Sequence, residues 1–177
     1  KENLVLLCDH NLFINYTNKF LKDLLEHDND KKKNILLDQA GTIWRPYSST
    51  KYFYNPFCII TLRDPRDIFS EFRAKAAFAY PGYDVNIFVK WYKKIMKNLN
   101  PEEYKSNNVL SINFEDFILN NKDTIQKISD HISYNINLNK NEFNFSKSQK
   151  NIGRYKENLK NSEIEIIENQ LKEFLNY

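Results

Sequence analysis

The feature that most constrains the fold of this chain is an apolar run that ends directly in the sequence Arg-Asp-Pro-Arg-Asp. Residues 57–62 are almost continuously apolar, which is typical of a strand in a parallel sheet covered on both faces. Asp64 is a good helix N-cap, and Pro65 suits the first helical turn, where its missing N–H costs nothing. Arg63 therefore falls between a strand and a helix start, where a guanidinium and free N–H groups favour a phosphate. The alternative is a structural turn in which Arg66 pairs with a neighbouring aspartate at the surface.

Strand and helix patterns alternate along the rest of the sequence. Apolar residues at spacings of three and four predict a first helix that ends near residue 27. Short apolar runs predict further strands at residues 35–37 and 109–112, with helical patterns between and after them. This order indicates an α/β fold, a parallel β-sheet flanked by helices. The chain has no internal repeat or linker, so we predict one domain over residues 1–177.

Three polar residues follow directly on the predicted strands: Asp38, Arg63 and Asn113. The carboxyl ends of parallel strands meet at one edge of the sheet, and α/β proteins bind their ligands beyond that edge. We therefore expect the functional site there. For Asp38 the alternative is a strand-end residue that bonds to a loop backbone.

Composition narrows the function classes. The net charge of +3 is too mild for a dedicated nucleic-acid binder, and the basic loop-like segment 140–160 lacks regular aromatic interleaving. No apolar run approaches the ~20 residues that a membrane-spanning helix needs. No spacing is typical of a metal site. Cys8 and Cys58 are far apart and are predicted to be free thiols, which favours a reducing, cytoplasmic compartment.

Three ordered motifs resemble those of the sulfotransferases that take sulfate from PAPS, 3′-phosphoadenosine 5′-phosphosulfate. The first is the run from Arg63 to Ser70. The second, residues 109–117, is similar to the family's strand that leads into Tyr-Glu-Asp-Leu. In the third, residues 147–155, the closing Gly-Arg-Tyr resembles a late Gly-Arg-Trp or Gly-Asp-Trp loop. The resemblance covers about four-fifths of the chain and implies the family's P-loop-NTPase-like fold.

The resemblance also implies a cofactor site, for PAPS or its product adenosine 3′,5′-bisphosphate, and no metal. An arginine and a serine of the first motif would grip the 3′-phosphate, an aromatic residue of the second would pack on the adenine, and the late loop would cover the phosphate. The implied residues are Arg63, Ser70, Phe114, Lys150, Gly153 and Arg154. A core phenylalanine and a solvated basic loop are the alternatives for the second and third motifs.

The sequence departs from the family pattern at three places. The family serine usually stands where this chain has Glu71, and Ser70 is rotated from that position by about 100° on an ideal helix. Ser70 shares a face with Arg66 instead. The glycine-rich 5′-phosphosulfate loop is not found, so we expect an N-terminally incomplete domain that does not catalyse transfer alone. The histidine base of many members is replaced by Asp38, the tentative base.

These observations predict a sulfotransferase that transfers a sulfuryl group from PAPS to a hydroxyl or amine of a small molecule or glycan. This chain would carry the 3′-phosphate and adenosine half of the cofactor site. The alternative is a nucleotide- or anion-binding relative without transfer activity. A P-loop kinase is excluded because the Walker-type Gly-Lys-Ser/Thr is missing. The oligomeric state is not encoded in these patterns.

Overall fold

The described part of the computed structural model of this protein contains two strands, each followed by helices. The structure describes residues 9–26, 50, 52–76, 80–99, 108–136 and 144–175. The elements are α1 (His10–Glu26), β1 (Cys58–Leu62), α2 (Pro65–Ala76), α3 (Val85–Asn98), β2 (Val109–Asn113), α4 (Phe114–Leu119), α5 (Asn121–Ile132), α6 (Phe145–Gln149), α7 (Tyr155–Asn158) and α8 (Asn161–Gln170), followed by a 3₁₀ turn at Lys172–Phe174.

The two strands β1 and β2 form a parallel pair in which Cys58 lies opposite Val109 and Leu62 lies opposite Asn113. The predicted α/β class with a parallel sheet flanked by helices is therefore confirmed. Because both strands run in the same direction, the chain leaves them at the same edge of the sheet. The predicted strand at residues 35–37 and the Asp38 that follows it lie outside the described residues.

One detail of the strand prediction is wrong. The continuous apolar run indicated a strand covered on both faces, but exposure alternates along β1, and Ile59 is 40% exposed. Among the described residues, the buried hydrophobic core includes none from either strand. The burial that holds the described part of the fold together lies between helices, beside the sheet. Cys58 is a half-buried free thiol, and burial raises its pKa.

The hydrophobic core is centred on α3, which packs against α2 and α8. Asp84 caps α3 by accepting hydrogen bonds from the backbone N–H groups of Asn86 (2.8 Å) and Ile87 (3.0 Å). The Phe88 ring lies 4.9 Å from the Phe69 ring of α2, centre to centre. Gly82 precedes this helix, and a Cβ there would approach the Phe72 Cβ to 2.9 Å. The close contact between α2 and the turn before α3 therefore requires glycine.

The first helix, α1, ends at Glu26, close to the predicted end. Its predicted apolar stripe is mostly exposed: the side chains of Phe13, Tyr16, Phe20 and Leu24 are each more than half accessible. Within the described segments, no helix combines the length and the apolar character that crossing a bilayer demands.

Candidate functional site

The turn between β1 and α2 forms as the sequence predicts. Strand β1 ends at Leu62 and helix α2 begins at Pro65. Between them, the Asp64 carboxylate accepts a 2.8 Å hydrogen bond from the Arg66 backbone N–H, so the predicted cap is confirmed. This cap fixes the chain direction after the strand, and Arg63 is consequently held at the carboxyl edge of the sheet.

Arg63 contacts three separate parts of the chain. Its Nη1 donates to the Glu71 carboxylate at 2.7 Å, and its Nη2 donates to the backbone oxygen of Asn151 at 2.9 Å. The guanidinium carbon lies 5.2 Å from the centre of the Phe114 ring, within cation–π distance. Its Nε is buried without a hydrogen-bond partner, although the side chain as a whole is 20% exposed. Arg63 is thus partly accessible and incompletely satisfied.

The structure therefore brings Arg63 together with Phe114 and the late loop. Phe114 directly follows β2, which pairs with the strand that precedes Arg63. The side chains of Lys150 and Arg154 are exposed on either side of Asn151, whose carbonyl contacts Arg63. Arg154 itself reaches back to the Asn151 side chain at 3.4 Å. The three motifs converge although up to 88 residues separate them in sequence.

The second arginine of the motif, Arg66, faces the interior. It bonds to the Asp64 carboxylate at 2.6 Å and to Glu168 of α8 at 2.5 Å, and its guanidinium lies 4.4 Å from the Tyr155 ring centre. Burial alone would lower the pKa of Arg66, but the hydrogen bonds to Asp64 and Glu168 outweigh burial and raise it. The sequence analysis allowed a surface pair with a neighbouring aspartate, whereas the observed Arg66–Asp64 pair is buried.

Asp67 ties α2 to the late loop. Its carboxylate, only 2% exposed, accepts hydrogen bonds from the backbone N–H groups of Gly153 (2.8 Å) and Tyr155 (3.0 Å). Gly153 has a φ of +76°, a conformation that favours glycine. Asp67 therefore fixes the loop that contacts Arg63. The sequence analysis gave Asp67 no such role, because its partners are 86 and 88 positions away.

Neighbouring positions Ser70 and Glu71 face different surroundings. Ser70 is 2% exposed, and its hydroxyl accepts a 3.0 Å hydrogen bond from Asn158. Glu71 is the α2 residue whose carboxylate reaches Arg63, and it also contacts Lys75. The hydrogen bond from Lys75, together with the charge of Arg63, lowers the pKa of Glu71. The assignment of Ser70 to a phosphate site stays a prediction.

The second motif contributes a further contact through Glu115. Its Oε1 accepts a 2.9 Å hydrogen bond from the Asp64 backbone N–H, and its Oε2 is buried without a hydrogen-bond partner. The sequence patterns did not predict this contact of Glu115. The Tyr92 hydroxyl is buried nearby, and burial followed by the charges of Asp64 and Glu115 raises its pKa. Tyr92 is therefore neutral at physiological pH.

Two predictions, the catalytic base and the absence of a metal, are not tested by these contacts. The tentative base, Asp38, lies outside the residues that the structure describes. Across the described ranges, no group of three or more histidine, cysteine, aspartate or glutamate side chains is placed to hold a metal ion. The groups that contact one another around Arg63 are its guanidinium, an aromatic ring, a carboxylate and a loop carbonyl. Exposed basic side chains lie on the same loop and add positive charge that favours an anion.

Comparison with known proteins adds one finding. The sequence matches the model of the sulfotransferase family over residues 14–137, more than two thirds of the chain. The match includes Arg63 and Phe114 and stops before the late loop, which the structure places against both of the preceding motifs. Searches of curated proteins and of solved structures gave no significant match.

Proposed function

The chain belongs to the sulfotransferase family, and we propose that it transfers a sulfuryl group from PAPS to a hydroxyl or amine of a small molecule or glycan. The observation that carries this proposal is the convergence on Arg63. The arginine that ends β1, the aromatic residue that follows β2 and the loop beyond α6 meet although they are distant in sequence. Binding a nucleotide that carries a second phosphate requires a cation for the phosphate, an aromatic surface for the base and a loop that covers them.

The residues present fit the adenosine 3′,5′-bisphosphate part of the cofactor. Arg63 offers a planar fork of donors that matches two phosphate oxygens. Phe114 offers a half-buried aromatic surface beside the guanidinium. Lys150 and Arg154 add exposed positive charge on the loop that carries Asn151. We assign Gly153 to this site because its conformation shapes the loop.

Ser70 has a less direct place in this proposal. Its hydroxyl is buried and engaged with Asn158, so contact with a phosphate requires that this pair opens. Removing a buried hydroxyl that serves only Asn158 would affect stability, whereas removing a phosphate ligand would affect affinity. Ser70→Ala, assayed for both quantities, separates the two roles.

The residues around Arg63 and the groups that act on the reacting atoms have different tasks in this reaction. When bound, PAPS supplies an activated sulfuryl group that moves from a phosphate oxygen to the acceptor oxygen or nitrogen. The residues around Arg63 bind and orient the nucleotide, which lowers the entropic barrier without touching the reacting atoms. We assign removal of the acceptor proton to Asp38, whose ordinary pKa near 3.9 must be raised by its surroundings for that task. Positive charge on the leaving oxygen would come from the glycine-rich loop that this sequence does not contain.

A second candidate function, an anion-binding module without transfer activity, has a specific observation in its favour. One of the two terminal nitrogens of Arg63 is already bonded to a carboxylate, that of Glu71. A site in which this pair persists would bind anions weakly and would not retain the cofactor for transfer.

The test is calorimetric binding of adenosine 3′,5′-bisphosphate against 5′-AMP. We expect the bisphosphate to bind more tightly, and we expect Arg63→Ala to weaken it by about 10- to 100-fold while 5′-AMP changes little, because charged hydrogen bonds contribute about 1.5–3 kcal/mol. Arg63→Lys keeps the charge but loses the fork, so it should bind with intermediate affinity.

Arg73→Ala is the matched control. It removes an arginine from the same helix, α2, whose partners are Glu163 and the Tyr83 carbonyl. Its affinity for the bisphosphate should equal that of the unaltered protein. Equal binding of both nucleotides, or equal losses in Arg63→Ala and Arg73→Ala, would contradict the proposed site.

A further inference from the structure

The position next to Ser70 carries a negative charge in the middle of the proposed phosphate site. Glu71 places its Oε2 at 2.7 Å from Arg63 Nη1, a distance typical of a charge-assisted hydrogen bond. A phosphate oxygen bound to Arg63 would make the same kind of contact. The carboxylate therefore occupies, from within the chain, the place that a ligand oxygen would take.

Two properties of Glu71 make this contact exchangeable. Its side chain is 44% exposed, so it can leave Arg63 without unfolding the helix. Its other oxygen contacts Lys75, one turn further along α2, so a second cation is ready to keep the carboxylate. The Arg63–Glu71 pair is thus weak in the way exposed pairs are, in contrast to a buried pair that has no alternative partner.

Glu71 also stays charged under ordinary conditions. The hydrogen bond from Lys75 and the charge of Arg63 hold the pKa of Glu71 below its ordinary value of 4.5. At neutral pH a phosphate that approaches Arg63 therefore meets a carboxylate. Like charges in contact oppose binding, and the opposition grows with the charge of the ligand.

We propose that Glu71 is the specificity-determining residue of the Arg63 site: its carboxylate acts as an internal competitor that a 3′-phosphate must displace from Arg63 onto Lys75. This inference rests on the proposed function, since it concerns the same nucleotide site. It has two consequences. Doubly charged phosphate groups bind more weakly than Arg63 alone would allow, and the bisphosphate product leaves the site readily.

Three variants and one control separate this role from a structural one. Glu71→Gln removes the charge and keeps the shape, and Glu71→Ser places a hydroxyl at the position. Lys75→Ala removes the alternative partner, which leaves Glu71 on Arg63. Glu165→Gln makes the same chemical change at an exposed position of α8. All three positions, 71, 75 and 165, are exposed, so thermal unfolding should show that each of the four variants folds.

The experiment is calorimetric titration of each protein with adenosine 3′,5′-bisphosphate and with 5′-AMP. We expect Glu71→Gln and Glu71→Ser to bind the bisphosphate about tenfold more tightly and 5′-AMP within about twofold of the unaltered protein. Glu165→Gln should change neither affinity. Lys75→Ala should weaken the bisphosphate, and this loss should shrink markedly in the double variant with Glu71→Gln, because the two residues then no longer act on each other.

The failures of the two proposals are distinguishable. If the bisphosphate is preferred over 5′-AMP but Glu71→Gln leaves its affinity within twofold, or weakens it, the internal-competitor role is overturned and the proposed function stands. If no variant distinguishes the two nucleotides, or none binds either, the proposed function is overturned and this inference falls with it.

Discussion

The side chains of the sequence Arg-Asp-Pro-Arg-Asp lie in two regions, one buried and one partly exposed. On the inner side, Arg66 and Asp67 are buried and each has a partner from the last quarter of the chain. On the outer side, Arg63 is 20% exposed and shares its guanidinium between Glu71, a loop carbonyl and an aromatic ring. Two arginines three positions apart thus have different surroundings, because the first precedes the helix and the second lies within its first turn.

Under the proposed function, this difference separates the residues of one motif that stabilise the fold from the residue that binds a ligand. Buried ion pairs with complete hydrogen bonding have fixed geometry, and removing one partner leaves a buried charge. Exposed pairs contribute little to stability and exchange partners easily. Arg66 and Asp67 therefore stabilise the packing of α8 and the late loop on α2. Arg63 keeps a partly accessible guanidinium, to which we assign ligand binding.

The largest expected effect comes from the inner arginine. Arg66→Ala leaves the carboxylates of Asp64 and Glu168 without their partner, so we expect the free energy of unfolding to fall by about 3–5 kcal/mol. Urea denaturation measures this change. Arg73→Ala, which breaks a longer ion pair with Glu163 at 3.4 Å, should cost about 1 kcal/mol or less. Similar losses in the two variants would show that Arg66 contributes no more to stability than a more accessible arginine of the same helix.

The next largest effect on stability is expected from Asp67→Ala. It removes the acceptor of two backbone N–H groups, at Gly153 and Tyr155, and we expect a loss of about 3 kcal/mol in unfolding free energy. Amide hydrogen exchange should also speed up at those two residues. Glu165→Ala, at an exposed position, should alter neither quantity. Unchanged exchange in Asp67→Ala would show that the loop is held by other contacts.

Arg63→Ala should have a small effect on stability, below about 1 kcal/mol, because its ion pair with Glu71 is partly exposed. The same variant should lose much of its affinity for adenosine 3′,5′-bisphosphate. Measuring stability and nucleotide binding on one protein therefore distinguishes the outer region from the inner one. A variant that is as unstable as Arg66→Ala would mean that Arg63 belongs to the structural region.

The smallest effect concerns the ionisation of Glu71. Its folded pKa lies below 4.5, so its pairs stabilise the protein above that pH, and this stabilisation is lost as the pH falls through the lowered pKa. We expect Lys75→Ala to raise the pKa of Glu71 toward 4.5, since Lys75 is the main cause of the shift. Carbon-detected NMR titration of the carboxylate measures it. A pKa that does not move in Lys75→Ala would argue that Arg63 alone holds Glu71.

Local sequence was sufficient to predict the part of the fold that positions the site. The cap at Asp64, the start of α2 at Pro65 and the two strands follow from short patterns, and all are confirmed. The burial of the two faces of β1 was not predictable. An apolar run indicates that a strand forms, but it does not show which element packs on each face.

The contacts within the site were less predictable for two physical reasons. Asp67 bonds to a loop 86 residues away, and no local pattern encodes such a contact. Resemblance by residue type directed attention to Ser70, whereas a rotation of about 100° between adjacent helical positions turns Glu71 toward Arg63. Glu71 was not predicted as a site residue, and the helical period, applied to the departure at position 71, is the signal by which it could have been found.

The measurement that tests the central claim most directly is a crystal structure of the protein with adenosine 3′,5′-bisphosphate. We predict that the 3′-phosphate contacts the Arg63 guanidinium, that Glu71 has moved to Lys75, and that Arg66 keeps its bonds to Asp64 and Glu168. A phosphate bound elsewhere, with the Arg63–Glu71 pair intact, would contradict it.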